Sequence, residues 1–147
     1  MHLKSFLLGL FVAGSILLFG CSSFSGQSKV REALLGCWYG EDLQANLERR
    51  VGWLIERKQD GTFTVEFRSL GEQHLPIQTE EGYWSLTGNT YTTITDTVAG
   101  DKVDASNPQY TDVYEIKSKK GGEMSYYHPG TKQTFTAKKV ACDYKAP

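Results

Sequence analysis

The sequence predicts an all-β domain, an antiparallel eight-stranded up-and-down meander with a short helix ahead of its first strand. Three observations lead there. Beyond Gly36 the chain is a series of short β-rich runs separated by turn residues at fairly even intervals, the rhythm of a sandwich or barrel. Several runs alternate: Phe63, Val65 and Phe67 fall on one face, while Thr62, Thr64, Glu66 and Arg68 fall on the other. One buried and one solvated face favour antiparallel over parallel pairing. Finally, Cys37 lies in the first run and Cys142 ends the last, and in a meander that closes on itself those two runs become neighbours.

In chain order, the first feature is a leader. Lys4 supplies a thin positive region, and Phe6 to Phe19 carries no charge. That run has 14 residues. At about 1.5 Å per residue it spans roughly 21 Å of helix, too short for a bilayer and suited to an export signal. It ends in Leu18-Phe19-Gly20-Cys21, which resembles the lipobox of bacterial lipoproteins, although Phe19 departs from the small residue usual two positions before the cysteine. The resemblance implies that residues 1–20 are a signal peptide and that Cys21 is cut free, lipidated and used as a membrane anchor. The alternative is a secreted protein that is not lipidated. Each buried methylene contributes about 0.8 kcal/mol, so two or three acyl chains anchor the protein durably. Ser22 stands where lipoproteins kept in an inner membrane typically carry Asp, which implies the outer membrane, facing the periplasm, as the destination.

Ser22 to Ser28, rich in Ser, Gly and Gln, reads as a flexible lipidated tether (residues 21–28), so the barrel domain is expected over residues 29–147. Lys29 to Leu35 is expected to form a turn or two of helix, with Val30, Ala33 and Leu34 at helical spacing, serving as a lid or lead-in. Eight strands follow: Leu35 to Glu41, Arg50 to Lys58, Thr62 to Leu70, Gly82 to Thr87, Thr90 to Val98, Gln109 to Lys117, Glu123 to His128 and Gln133 to Cys142. Asp60-Gly61 and Gly88-Asn89 are compact hairpin turns, Pro129-Gly130 marks another, and Gly100 to Pro108 reads as a longer loop. Trp84 with Leu86 repeats the alternation, as do Tyr110, Tyr114 and Ile116, a face that Asp112 interrupts.

With Cys21 assigned to lipid, Cys37 and Cys142 remain as an even pair in a compartment where disulfides persist. They are 142 − 37 = 105 positions apart, and a bridge between them would staple the seam of a closed barrel. Two separately buried thiols are the alternative. Charge points to no particular partner. The chain has 16 basic and 17 acidic side chains, and setting Lys4 aside with the leader leaves 15 against 17, a net of −2. No basic stripe favours nucleic acid.

The domain also resembles the small lipocalin-like domains of bacteria, within the wider calycin group. The resemblance rests on Leu35-Gly36-Cys37-Trp38, Asp60-Gly61-Thr62-Phe63, Gly82-Tyr83-Trp84 followed by Gly88-Asn89, and the closing Phe135-Thr136-Ala137-Lys138-Lys139-Val140. It implies a lipocalin-like barrel in which Trp38 packs across the closed end.

Catalytic signals are thin. Beyond the leader the histidines are His74 and His128, with no nucleophile elbow or Cys-His pair beside them, and both read as solvated side chains near Pro76 and Pro129. Glu80 and Glu81 are neighbours in a strand and therefore point to opposite faces, so they cannot share a proton-transfer site. Asp101, Asp104 and Asn107 recur every third residue but match no EF-hand loop, and ordinary turn chemistry explains them. No enzyme, metal or cofactor is expected. The aromatic residues bear more directly on function: Phe63, Phe67, Trp84, Tyr91, Tyr110, Tyr114, Tyr126 and Phe135 are candidates to line an interior that holds a small apolar ligand. A solid aromatic core is the alternative, and a barrel of eight strands is compatible with both.

Two functions follow. The first is an anchored binding module for a small apolar ligand. The second is a non-enzymatic periplasmic interaction protein acting through its loops, as an inhibitor or envelope scaffold. Bacterial lysozyme inhibitors are similar in size, anchor and barrel, but no loop here matches their inhibitory motif. Gly100 to Pro108 is the candidate contact loop.

Overall fold

The computed structural model describes residues 22–44, 49–71 and 76–145. Cys21, the leader and His74 lie outside the described residues, and so does the lipid-anchor reading that depends on Cys21. Among the described residues, one α-helix, α1 (Ser22–Leu34), precedes nine strands: β1 (Gly36–Gln44), β2 (Arg49–Arg57), β3 (Thr62–Ser69), β4 (Pro76–Thr87), β5 (Thr90–Val98), β6 (Asp101–Lys102), β7 (Thr111–Lys120), β8 (Glu123–His128) and β9 (Gln133–Val140).

All pairings are antiparallel, and the ladder runs β4-β3-β2-β1-β9-β8-β7-β5 before β5 pairs back to β4. The eight long strands therefore form a closed up-and-down barrel, as the alternation and turn spacing predict. Two-residue β6 is an appendage on the end of β5, where Lys102 and Asp101 pair with Thr97 and Val98. The seam is β1 against β9, in register from Cys37↔Val140 to Gly40↔Ala137. Just past β9 the Cys37–Cys142 disulfide closes it, with Cα atoms 5.1 Å apart across a separation of 105 residues.

Hairpins alternate between the two barrel ends. Those joining β2 to β3, β4 to β5 and β7 to β8 share one end with the junction between α1 and β1, and the connections from β5 to β7 and from β8 to β9 lie at the other. At the first end the Asp60 carboxylate accepts from the Thr62 amide at 2.9 Å and the Thr62 hydroxyl at 2.7 Å, while Gly61 takes a φ of 89° that a side chain would resist. This end is packed solid. Leu34, Trp38, Trp84, Leu86 and Met124 are all buried there, and the Trp38 indole N–H donates to the Leu34 carbonyl at 3.0 Å. Trp38 is 1% exposed, so its ring and its one polar atom are both fully accommodated.

α1 lies against this packed end, and it is longer than the sequence suggests. It begins at Ser22, so the segment read as a flexible tether is helical and continuous with the lid. Contacts explain what local propensity does not: Gln27 Nε2 donates to the Leu86 carbonyl at 2.9 Å, Arg31 Nη2 donates to the Gln59 carbonyl at 3.3 Å, and the Arg31 guanidinium stacks 4.2 Å from the Trp84 ring centroid. Short polar helices are marginal alone and form where a packed surface supplies such partners.

Other strand boundaries also shift. β1 runs on to Gln44 rather than stopping at Glu41, and β9 ends at Val140, two residues before Cys142. β4 starts at Pro76, six residues before Gly82, because its first half pairs with β3 through Arg68↔Pro76 and Phe67↔Gln78. β7 starts at Thr111 rather than Gln109, since Pro108–Tyr110 forms a 3-10 turn capped by Asn107. A register shift between Glu81 and Gly82 brings the β4 backbone hard against β5, where a Cβ on Gly82 would lie 2.0 Å from the Ile94 carbonyl oxygen.

Candidate functional site

Above the packed end the barrel is not filled. A cavity of about 180 Å³ is lined by residues from every long strand except β1. β3 contributes Phe63, Val65 and Phe67, the alternating face read from the sequence, and β2 contributes Trp53, Ile55 and Arg57 with the same period of two.

Six of the eight aromatic candidates line this cavity: Phe63, Phe67, Tyr91, Tyr114, Tyr126 and Phe135. Two do not. Trp84 is buried, but it sits in the packed layer beneath, its Nε1 donating to the Lys58 carbonyl at 3.0 Å. Tyr110 closes the 3-10 turn before β7, which breaks the strand periodicity that placed it on the Tyr114 face, and it is only partly buried.

The rings hold one another. Tyr91 stacks on Tyr114 at 5.7 Å and Tyr126 on Phe135 at 5.8 Å, while Tyr114 meets Tyr126 edge-on at 5.2 Å and Trp53 meets Phe135 edge-on at 5.7 Å. Offset stacks and T-shaped pairs are the favoured geometries, so the wall is a preformed aromatic surface. Burial pushes the phenols of Tyr91, Tyr114 and Tyr126 above their ordinary range; Asp112 adds to the effect at Tyr114, and Arg57 opposes it at Tyr91 and Tyr126. All three are neutral hydroxyls at physiological pH.

Five polar side chains join the rings, and they divide by depth. Arg57 ends β2 beside the packed end and is 2% exposed. Its Nε donates to the Tyr91 hydroxyl at 2.9 Å, and its guanidinium carbon lies 4.6 Å from that ring's centroid. Thr93 and Thr95 follow Tyr91 on the inward face of β5. Glu80 and Asp112 lie toward the opposite end, early in β4 and β7. Glu80 accepts from Gln78 Nε2 at 2.5 Å and from the Thr95 hydroxyl at 3.1 Å. Asp112 Oδ1 is 3.3 Å from His128 Nε2.

His128 is therefore not the solvated turn residue that its neighbour Pro129 suggests. Its side chain is 16% exposed and packs 5.0 Å from the Tyr114 ring. The Thr131 amide donates to Nδ1 at 3.0 Å, which makes Nδ1 an acceptor and places the ring proton on Nε2, toward Asp112. The turn at Pro129-Gly130 thus fixes the tautomer of a residue at the cavity mouth.

Elsewhere, Glu80 and Glu81 do diverge, Glu80 inward and Glu81 to solvent. Asp104 accepts from the Ser106 amide and hydroxyl, and Asn107 from the Gln109 amide, so these side-chain oxygens shape the loop after β6. Among the described residues, Cys37, Glu56 and Cys142 come within metal-ligand distance of one another, but the two sulfurs are joined as the disulfide.

Arg57, Glu80, Thr93, Thr95 and Asp112 are the site residues that a search for apolar patterns passes over. The signal that finds them is parity: Arg57 is two residues on from Ile55, Glu80 two before Gly82, the threonines two and four past Tyr91, and Asp112 two before Tyr114. Set beside known proteins, the chain matches no family model and no curated sequence.

Proposed function

We propose that this chain is a lipid-anchored lipoprotein of the bacterial outer membrane whose lipocalin-like barrel binds a small, mainly apolar molecule and performs no chemistry on it. The observation that carries this reading is the preformed aromatic cavity of about 180 Å³ above a solidly packed barrel end. Its size limits the occupant. A dry apolar cavity of about 150 Å³ takes benzene, whereas pockets for drug-sized ligands run to roughly 300–1,000 Å³. A single ring with a short substituent fits within that volume. The Leu18-Phe19-Gly20-Cys21 sequence supports the anchor, with α1 beginning immediately after it. Resemblance to lipocalin-like domains, with Trp38 buried at the closed end, supports a binding role.

The test is native mass spectrometry of the chain from Ser22 onward, purified oxidised from a periplasm, beside the same sample after denaturing extraction. Mass lost on denaturation is the expected result. Tryptophan emission should also respond to titration with single-ring aromatics, because Trp53 forms part of the cavity wall. A bare mass together with no fluorescence response to any single-ring compound would overturn the proposal.

A further inference from the structure

The cavity floor contains a cation without a counter-ion. Arg57 is 2% exposed, and among the described residues its guanidinium Nη1 meets no acceptor. Among the described residues, no carboxylate lies within ion-pair distance of it. The two carboxylates that share the cavity are engaged elsewhere, Glu80 with Gln78 and Thr95, Asp112 with His128. Among the described residues, the direct contacts of Arg57 are the Tyr91 hydroxyl and the face of that ring, with the neutral Tyr126 phenol nearby. Leaving a buried guanidinium donor unpaired is costly, and a protein retains such a group where something else completes it.

We infer that Arg57, with the Tyr91 hydroxyl beside it, is the anion-binding end of the cavity, and that the ligand is a small monocarboxylate with an apolar, ring-sized body. The inference rests on the binding reading above and names its ligand class. A planar carboxylate matches the guanidinium edge and presents oxygens to both Nη1–H and the phenol. Its apolar body then lies along Phe67, Tyr114, Tyr126 and Phe135 toward the mouth. Glu80 and Asp112 near that mouth disfavour a second negative charge, so a dianion such as a phosphate monoester is a poor fit.

Isothermal titration at neutral pH with phenylacetate and its neutral counterpart phenylacetamide tests this on the unmodified chain from Ser22 onward, which contains every described element. Phenylacetate should bind at least tenfold more tightly. The variants Arg57→Met and Arg57→Gln, checked for folding by circular dichroism, should lose that preference while still binding the amide. Equal or tighter binding of the amide by the unmodified chain would refute the anion subsite and leave the apolar cavity reading standing. If neither compound binds, and benzoate, hexanoate and their amides also fail, the binding reading itself falls and this inference with it.

Discussion

Removing the seam disulfide should cost the barrel a large share of its stability. The Cys37–Cys142 bridge closes a loop of 105 residues. In the chain-entropy treatment a loop of that length restricts the unfolded chain by about 4–5 kcal/mol at 25 °C. The native structure concentrates the effect, because β1 meets β9 only over Cys37 to Gly40, whereas on its other side β1 pairs with β2 from Gly36 to Gln44. The bridge thus sits on the shortest seam of the closed barrel. Small domains have roughly 5–15 kcal/mol of total stability, so its loss removes a large share. Urea unfolding of the oxidised chain against the Cys37→Ala/Cys142→Ala variant, both from Ser22 onward, reads the difference directly. The variant's midpoint should fall by an amount equivalent to about 4 kcal/mol, with tryptophan emission and far-UV circular dichroism moving together. A loss under about 1 kcal/mol would refute the reasoning, since it would mean that the unfolded chain keeps its ends together without the bridge.

Four further outcomes follow. Trp38→Ala should cost about 3–5 kcal/mol, measured by chemical unfolding, because it empties a fully buried site and removes the bond to Leu34. Gly82→Ala should be strongly destabilising, about 3 kcal/mol or more, because the atom it would collide with is backbone; a near-neutral thermal shift would disprove the close β4–β5 approach. Tyr91→Phe removes the oxygen that accepts from Arg57 and should cost about 1.5–3 kcal/mol by leaving another donor of a buried cation unpaired. Stability should also fall in alkali: the phenols of Tyr91, Tyr114 and Tyr126 are raised by burial, so the folded state holds protons that the unfolded chain releases above about pH 10. Their contribution is complete below that pH and declines above it by up to about 1.4 kcal/mol per pH unit for each phenol. Urea midpoints at pH 9 and pH 11 check the sign, and Tyr126→Phe should flatten the slope.

Much of this architecture is legible in the chain because both faces of most strands declare themselves. Phe63-Thr64-Val65-Glu66-Phe67 can be pleated in only one sense, and the Asp60-Gly61 and Gly88-Asn89 turns fix where strands reverse. The front half of β4 is hidden because Pro76-Ile77-Gln78-Thr79-Glu80-Glu81 opens with proline and closes with two acids, a composition that reads as loop. Its pairing comes from β3, a tertiary cause that local sequence does not display. Polar members of the cavity are obscured in the same way. Glu56-Arg57-Lys58 looks like a solvated strand end, yet the pleat that turns Trp53 and Ile55 inward carries Arg57 with them. Tyr110 illustrates the converse, an apparent strand position taken over by the turn at Asn107-Pro108.

Closure between the first and last strands also sets a timetable. In a chain that emerges N-terminus first, β1 is the first described strand available and β2 can join it at once, but its other edge faces nothing until β9 arrives. The 105 residues between the bridged cysteines must all emerge before that edge is covered. Over that interval β1 is an unpaired strand able to template a neighbour of the wrong chain. Every fragment that stops short of β9 carries the same exposure permanently, on β1 and again on the final strand it contains. The barrel therefore cannot close on any stretch that lacks β9, and that strand decides when folding can finish.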